Sequence, residues 1–346
     1  KEEAREEYFS CFDPQTGLYL RTGDHFFSPN GPEMLDIGIT SFCNRQCLYC
    51  YTNSGSGGSH MPLEQYRSVL EIFDRVYQVA LGGGEPTLHP DFTELLHLTR
   101  ECYGIVPNYS TNGDHLSEEV IAATNSWCGA VAVTCHDGFH DIEKLEAFDG
   151  KRVARVAHLL LSDRTLEPII EFLERNSFSP YLDGIIVLLY KPCGRADPSG
   201  ILTWSPRVEH LAQLMVAQHK VKVGFDSCLA PLFTSNRLLP TETYDSCEAG
   251  RFSLYVDWNS MVSPCSFLRD PQWQQNLEGT GANQIWNSAP FLRIRQILRS
   301  QCPDCNLREI CFGGCPAYRE INLCISKKNC SIRYSDLDRK ILHTKS

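Results

Sequence analysis

Leu35-Asp36-Ile37-Gly38-Ile39-Thr40 runs almost directly into Cys43-Asn44-Arg45-Gln46-Cys47-Leu48-Tyr49-Cys50, so a short apolar stretch is followed at once by three cysteines spaced C-x3-C-x2-C. The apolar stretch has the length and composition of a buried strand. Three thiolates on one tight loop can hold three irons of a 4Fe–4S cube and leave the fourth open. Zinc is the competing metal, but a structural zinc site draws four protein ligands, often as two CxxC knuckles.

Outward from this stretch the pattern repeats. Apolar runs at Tyr77–Leu81, Ile105–Ser110, Ala130–Thr134, Val153–Leu161 and Gly184–Tyr190 are rich in Val, Ile and Leu and are expected to be apolar on both faces, as covered parallel strands are. Amphipathic stretches at Pro62–Arg75, Asp91–Cys102, Ser117–Asn125, Asp141–Phe148, Leu166–Arg175 and Pro206–Lys220 read as the intervening helices. Ser117 is a capping residue followed by two acids. Six β-α units in series predict an α/β fold, an open or partial barrel with its chemistry on the loops at the strands' C-terminal ends. Residues 1–34 form a lead-in in which Phe12–Gly17 is a turn between two short extended pieces. After residue 225 the alternation stops, and turns, a short strand at Ser253–Asp257 and cysteines take over. The expected division is therefore 1–34, 35–225 and 226–346.

The chain holds 346 residues and 17 cysteines, an odd number that does not suit a disulfide framework. Cys302, Cys305, Cys311 and Cys315 form C-x2-C-x5-C-x3-C, whereas Cys102, Cys128, Cys135 and Cys193 show no ligand-like spacing. The first three of those four read as buried thiols packing like small hydrophobes. Two metal-binding regions in a chain whose first residues, KEEAREEYF, lack an apolar signal stretch point to a reducing, cytoplasmic setting. A net charge of −10 argues against a passive nucleic-acid coat. No apolar run reaches the roughly 18 residues of a membrane span.

Gly82-Gly83-Gly84-Glu85-Pro86 follows the second apolar run. A three-cysteine loop after strand one and a GGE loop after strand two resemble the signature of the radical S-adenosylmethionine (SAM) superfamily. The resemblance implies a (β/α)6 TIM-like partial barrel. It also implies a 4Fe–4S cluster on Cys43, Cys47 and Cys50 whose open iron is chelated by SAM, with Tyr49 against the adenine and Gly83, Gly84 and Glu85 near the SAM ammonium. Ser110, Asn112 and Thr134 lie at strand ends where this fold places ribose and carboxylate contacts. His158, Leu188 and Leu189 are further candidates, although an ordinary turn or core role suits each of these positions as well.

The C-terminal cysteines resemble the SPASM extension of many radical SAM maturases. That resemblance implies two auxiliary 4Fe–4S clusters, for three in all. The first would take Cys228, Cys247, Cys265 and Cys315. The second would take Cys302, Cys305 and Cys311 with Cys330, or with Cys324 instead. If Cys228 is not a ligand, the first auxiliary cluster keeps an iron open to substrate. One departure is Ser260, which stands five residues before Cys265 where the family pattern has glycine.

The implied activity is reductive cleavage of SAM to a 5′-deoxyadenosyl radical that takes hydrogen from a peptide, installing a cross-link, epimerisation or backbone excision. The alternatives are modification of an enzyme's active-site residue, as in sulfatase activation, or of a small molecule. A flavodoxin or ferredoxin would donate electrons. About 34 residues precede the first barrel strand, too few for a winged-helix-like recognition domain, so either a separate protein is expected to deliver a leader peptide or recognition is by core sequence alone. In Lys191-Pro192-Cys193-Gly194-Arg195, after the sixth run, Arg195 is a candidate for a substrate carboxylate. Tyr190 is a candidate acid/base or electron relay, and Asp226 a candidate base.

Overall fold

The computed structural model describes residues 2–5, 8–23, 29–136, 138–318 and 320–325. The lead-in folds as a three-stranded antiparallel sheet, β1 (Glu2–Arg5), β2 (Tyr8–Phe12) and β3 (Tyr19–Gly23), with the expected turn between β2 and β3. Its side chains dock where the barrel strands begin. Ser10 Oγ meets Tyr77 OH at 2.7 Å, Phe12 stacks on Tyr77, and the Tyr8 and Tyr19 hydroxyls both donate to Glu33. Arg21 pairs with Glu33 at 2.8 Å and Asp245 at 2.5 Å and lies over the Phe252 ring. The lead-in thus ties the start of the barrel to the segment that carries Cys247.

The barrel strands follow in order: β4 (Met34–Thr40), β5 (Gln78–Gly83), β6 (Val106–Thr111), β7 (Ala130–Cys135), β8 (Ala154–Leu161), β9 (Gly184–Leu189) and β10 (Lys222–Phe225), each parallel to its neighbour. Helices α1 (Leu63–Ile72), α2 (Phe92–His97), α3 (Glu118–Trp127), α4 (Leu166–Arg175) and α5 (Pro206–Val216) intervene, and the Ser117 hydroxyl caps α3 by accepting from the Val120 amide. The expected helix at Asp141–Phe148 is a 3-10 helix instead, over His140–Ala147. Strand β10 is a seventh strand beyond the six expected. It is only four residues long and half-buried, so it has no long apolar run to betray it.

Alternation along the strands decides what the barrel encloses. Leu35, Ile37 and Ile39, with Val131, Val133, Leu159 and Leu161, are fully buried in the main core with the helices. The alternate positions Asp36, Gly82, Ser110, Thr134 and His158 face a cavity. The strands are therefore not apolar throughout on both faces: the inner face mixes these small and polar residues with Met34, Ala80, Leu160 and Leu188 around the cavity.

The C-terminal segment continues the barrel sheet. After α6 (Ala230–Asn236), strand β11 (Ser253–Val256) pairs parallel with β4, and β12 (Met261–Ser263) and β13 (Gln275–Asn276) extend the edge antiparallel. Helices α7 (Ala282–Trp286), α8 (Ala289–Ser300) and α9 (Arg308–Cys311) complete the fold, with a second small core around Trp273, Ile294 and Phe312. Ser260, in the β11–β12 turn, sits at φ +60°, the left-handed region that glycine occupies without strain. Ser260→Gly is expected to stabilise the protein by about 1 kcal/mol. An anaerobic denaturant titration should show a higher midpoint, and a lower one would contradict the assignment of strain to this turn.

Candidate active site

The three-cysteine loop leaves β4 and is held by its own backbone. The Cys43 amide donates to the Gly55 carbonyl at 3.1 Å and the Cys50 amide to the Cys47 carbonyl at 3.2 Å. Thr52 Oγ1 lies 3.2 Å from Cys50 Sγ and donates to the Gly83 carbonyl at 3.0 Å, joining this loop to the end of β5. Glycine is required at that junction. Gly83 has φ +108° and a Cβ there would overlap the Thr40 carbonyl, while a Cβ on Gly84 would overlap the Phe42 carbonyl. The Gly84 and Glu85 amides use the same approach to donate to Thr40 and Phe42, at 2.6 and 2.9 Å.

Glu85 is almost fully buried, yet its carboxylate reaches the cavity wall. Its Oε1 accepts from Thr111 Oγ1 at 2.6 Å and Thr87 Oγ1 at 2.7 Å, and Oε2 accepts from the Asn112 amide at 2.7 Å. Burial pushes its pKa up and these donors oppose the shift. Oε2 retains a lone pair for a cationic donor. Thr111, which was not singled out in the sequence, is the hydroxyl that ties the ends of β5 and β6 together.

Two clamps fix the cysteine loop from outside. Arg45 forms a paired contact with Asp114, both at 2.5 Å, and reaches His136 Nδ1 at 2.9 Å; Lys144 holds Asp114 and Asp141 at 2.9 and 2.7 Å. His136 in turn lies against the Tyr49 ring, 5.9 Å between centroids. On the opposite side the Arg195 amide donates to the Cys50 carbonyl and Arg195 Nε to the Cys47 carbonyl, both at 3.0 Å. Gly194, at φ +65°, allows this, since a Cβ would come within 2.6 Å of the Tyr51 carbonyl oxygen.

The thiols Cys43, Cys47 and Cys50, with Ser110, Asn112, Thr134, His158, Leu188 and Leu189, line a cavity of about 620 Å³. The volume is that of an ordinary small-molecule site. His158 Nδ1 meets Ser110 Oγ at 3.2 Å, and burial lowers its pKa to about 4, so it is neutral at physiological pH. Cys228, Cys247 and Cys265 line the same cavity. Cys228 shares a side-chain hydrogen bond with Cys315 and lies within electrostatic reach of Cys247 and Cys265. The four expected thiols of the first auxiliary site are therefore neighbours, including Cys228, which no motif spacing marks.

Cys302, Cys305 and Cys324 all act electrostatically on Cys311, whose thiol burial pushes up to about 12. Cys330 lies outside the described residues. Among the described residues no three His, Cys, Asp or Glu side chains converge on a single ion. One observation fits an iron–sulfur cluster at the three-cysteine loop. Arg195 Nη2, beside the Cys47 carbonyl, is buried with no partner among the described residues, a donor suited to an anionic sulfur group. Burial raises the pKa values of the Cys247, Cys265 and Cys311 thiols, so without a metal they hold their protons.

The structure redirects two candidates. Arg195 braces the cysteine loop, its Nε on the Cys47 carbonyl and its Nη1 on Asn53 Oδ1 at 3.2 Å. The Tyr190 hydroxyl donates to the Asp197 carbonyl at 2.7 Å, which braces its own loop. Asp226 does line the cavity, with Oδ2 accepting from the Leu189 amide at 3.0 Å. Lys191, passed over in the sequence, is buried beside it at 3.2 Å.

Comparison with known proteins agrees with this geometry. Residues 37–160 match the radical SAM superfamily model and residues 247–306 match the SPASM iron–sulfur cluster-binding domain. The chain belongs to the radical SAM superfamily and carries a SPASM domain; it is an enzyme of that class. It is 33% identical over 319 residues to mycofactocin maturase MftC of Mycolicibacterium smegmatis, covering 83% of this chain and 79% of that one. It is 25% identical to an AdoMet-dependent heme synthase of Methanosarcina barkeri, over 82% of this chain and 91% of that one. In fold it is similar to Streptococcus suis SuiB, solved bound to precursor peptide SuiA, with a TM-score of 0.66 at 19% identity, over 84% of this chain and 73% of that one.

Gly84→Ala is expected to push the β4 and β5 ends apart and to cost the cysteine loop its cluster, about four irons per chain. Gly57→Ala, at a glycine with open space around it, should retain them. Anaerobic iron and sulfide analysis checks this, and equal iron in the two variants would contradict it.

Proposed function

We infer that this enzyme modifies a peptide, using SAM and three 4Fe–4S clusters. The observation that carries the reading is a single cavity lined both by Cys43, Cys47, Cys50 and Glu85 and by Cys228, Cys247 and Cys265. When bound at Cys43, Cys47 and Cys50, a cluster with one open iron supplies the electron that splits SAM into methionine and a 5′-deoxyadenosyl radical able to take hydrogen from an unactivated carbon. The protein's own part is placement. Glu85 Oε2 offers an acceptor for the SAM ammonium. Ser110, Asn112, Thr134 and neutral His158 supply polar contacts along the wall, while Leu188 and Leu189 give an apolar surface for adenine. The barrel walls keep solvent from the reacting carbon, so that the hydrogen presented to it is the one removed.

Between the two groups of thiols lies room for a substrate side chain, with Asp226 on the wall as the candidate base. Cys228, Cys247, Cys265 and Cys315 would hold the first auxiliary cluster. Cys302, Cys305 and Cys311 would hold the second with Cys324 or Cys330, and the nearness of Cys324 to Cys311 supports Cys324. Auxiliary clusters give the substrate's electron an exit, which suits a net oxidation. Leu48, 76% exposed within the cysteine loop, places that loop at the surface, where a flavodoxin or ferredoxin can approach. Similarity to a mycofactocin maturase across most of both chains supports a ribosomally made precursor as the substrate.

The test is mass spectrometry of short precursor peptides encoded beside the gene, incubated anaerobically with enzyme, SAM and reductant. A defined mass change in one peptide, absent without SAM and absent in Cys47→Ala, is expected. SAM cleavage with no change in any such peptide would contradict the peptide reading.

A further inference from the structure

Lys191 is the only lysine buried among the described residues, and neither cysteine loop uses it. Two residues past the end of β9, its Nζ donates to the Leu189 carbonyl at 3.0 Å and to Asp226 Oδ2 at 3.2 Å, and it faces the Phe267 ring 4.5 Å from the centroid. Each side of the ammonium is thus occupied by the protein, so it is not a free hook for a substrate carboxylate. Its neighbours lead to the C-terminal thiols. Asp226 Oδ1 accepts from the Cys228 amide at 3.1 Å, and Phe267 stands two residues after Cys265.

The charges of this pair are not equally screened. The Lys191 side chain is 2% exposed, whereas that of Asp226 is 21% exposed. Water damps the carboxylate's field more than the ammonium's, and at the Cys228 thiol the ammonium's influence outweighs the carboxylate's. Adding one electron to a cluster makes it more negative, and a buried positive charge favours that form.

Resting on the functional reading above, we propose that the Lys191 ammonium raises the reduction potential of the auxiliary cluster held by Cys228, Cys247, Cys265 and Cys315, making Lys191 a positioning charge for electron exit. The step concerned adds one electron to the oxidised cluster. No bond forms or breaks and no proton moves, and in the test dithionite is the reductant.

The experiment is a redox titration of the reconstituted holoenzyme followed by electron paramagnetic resonance, in wild type, Lys191→Met, Lys191→Arg and Asp226→Asn. Lys191→Met should lower the potential of this one cluster by about 59 mV, a tenfold change in its one-electron equilibrium. Lys191→Arg should stay near wild type, and the other clusters serve as internal references. Should Lys191→Met shed the cluster, Lys191→Gln carries the test with the same downward shift, and Asp226→Asn, which removes the opposing charge, should raise the potential. A Lys191→Met potential that does not move, or an equal shift in Lys191→Arg, overturns the inference and leaves the functional reading standing. Wild-type enzyme with no cluster at these four thiols overturns both.

Discussion

No side chain fits between Gly84 and the Phe42 carbonyl, and the rest of the site depends on that contact. Two parallel strands normally diverge into separate loops at their C-terminal ends. Here the β5 end closes onto the chain leaving β4, with the Gly84 and Glu85 amides donating to Thr40 and Phe42. The approach brings the cysteine loop and the Glu85 carboxylate to the same rim of the barrel. Glu85 then gathers the next strand end through Thr111 and Asn112. A short run of backbone hydrogen bonds therefore places the cysteines, the acidic acceptor and the polar wall together before any cofactor binds.

The loop after β9 extends this order to the second group of thiols. Within five residues it sends Lys191 toward the C-terminal cysteines and Arg195 onto the carbonyls of Cys47 and Cys50. Strand β11 pairs with β4, and the lead-in's Arg21 bridges Glu33 and Asp245, so the SPASM segment is held to the barrel by sheet hydrogen bonds and by buried charge. The cavity that both cysteine groups line has small or polar residues at Asp36, Gly82, Ser110, Thr134 and His158 among its inner strand positions.

Much of this was legible in the sequence, for a definite reason. The three-cysteine loop, GGGEP and the C-terminal cysteine run are local, and local spacing is what a sequence displays. Six strands announced themselves by length and apolarity, while β10, four residues with a glycine inside, did not. Tertiary facts were hidden. Arg195 looked like a free cation at the barrel mouth because nothing local shows that Gly194 lets its loop press against Cys50. Tyr190 looked reactive because its acceptor, the Asp197 carbonyl, is backbone. Lys191 passed unnoticed because burial of a lysine depends on Asp226, Phe267 and the Leu189 carbonyl meeting around it. The polar inner face was misjudged because His158 and Thr134 sit in runs that are otherwise apolar.

The central claim is that the loop from Cys43 to Cys50 presents a cluster with one open corner to SAM. Its most direct test is the product analysis of anaerobically reconstituted enzyme reduced with dithionite in the presence of SAM. The account predicts methionine and 5′-deoxyadenosine in equal amounts, abolished by Cys47→Ala. Iron-replete enzyme that binds SAM yet releases neither product would contradict it.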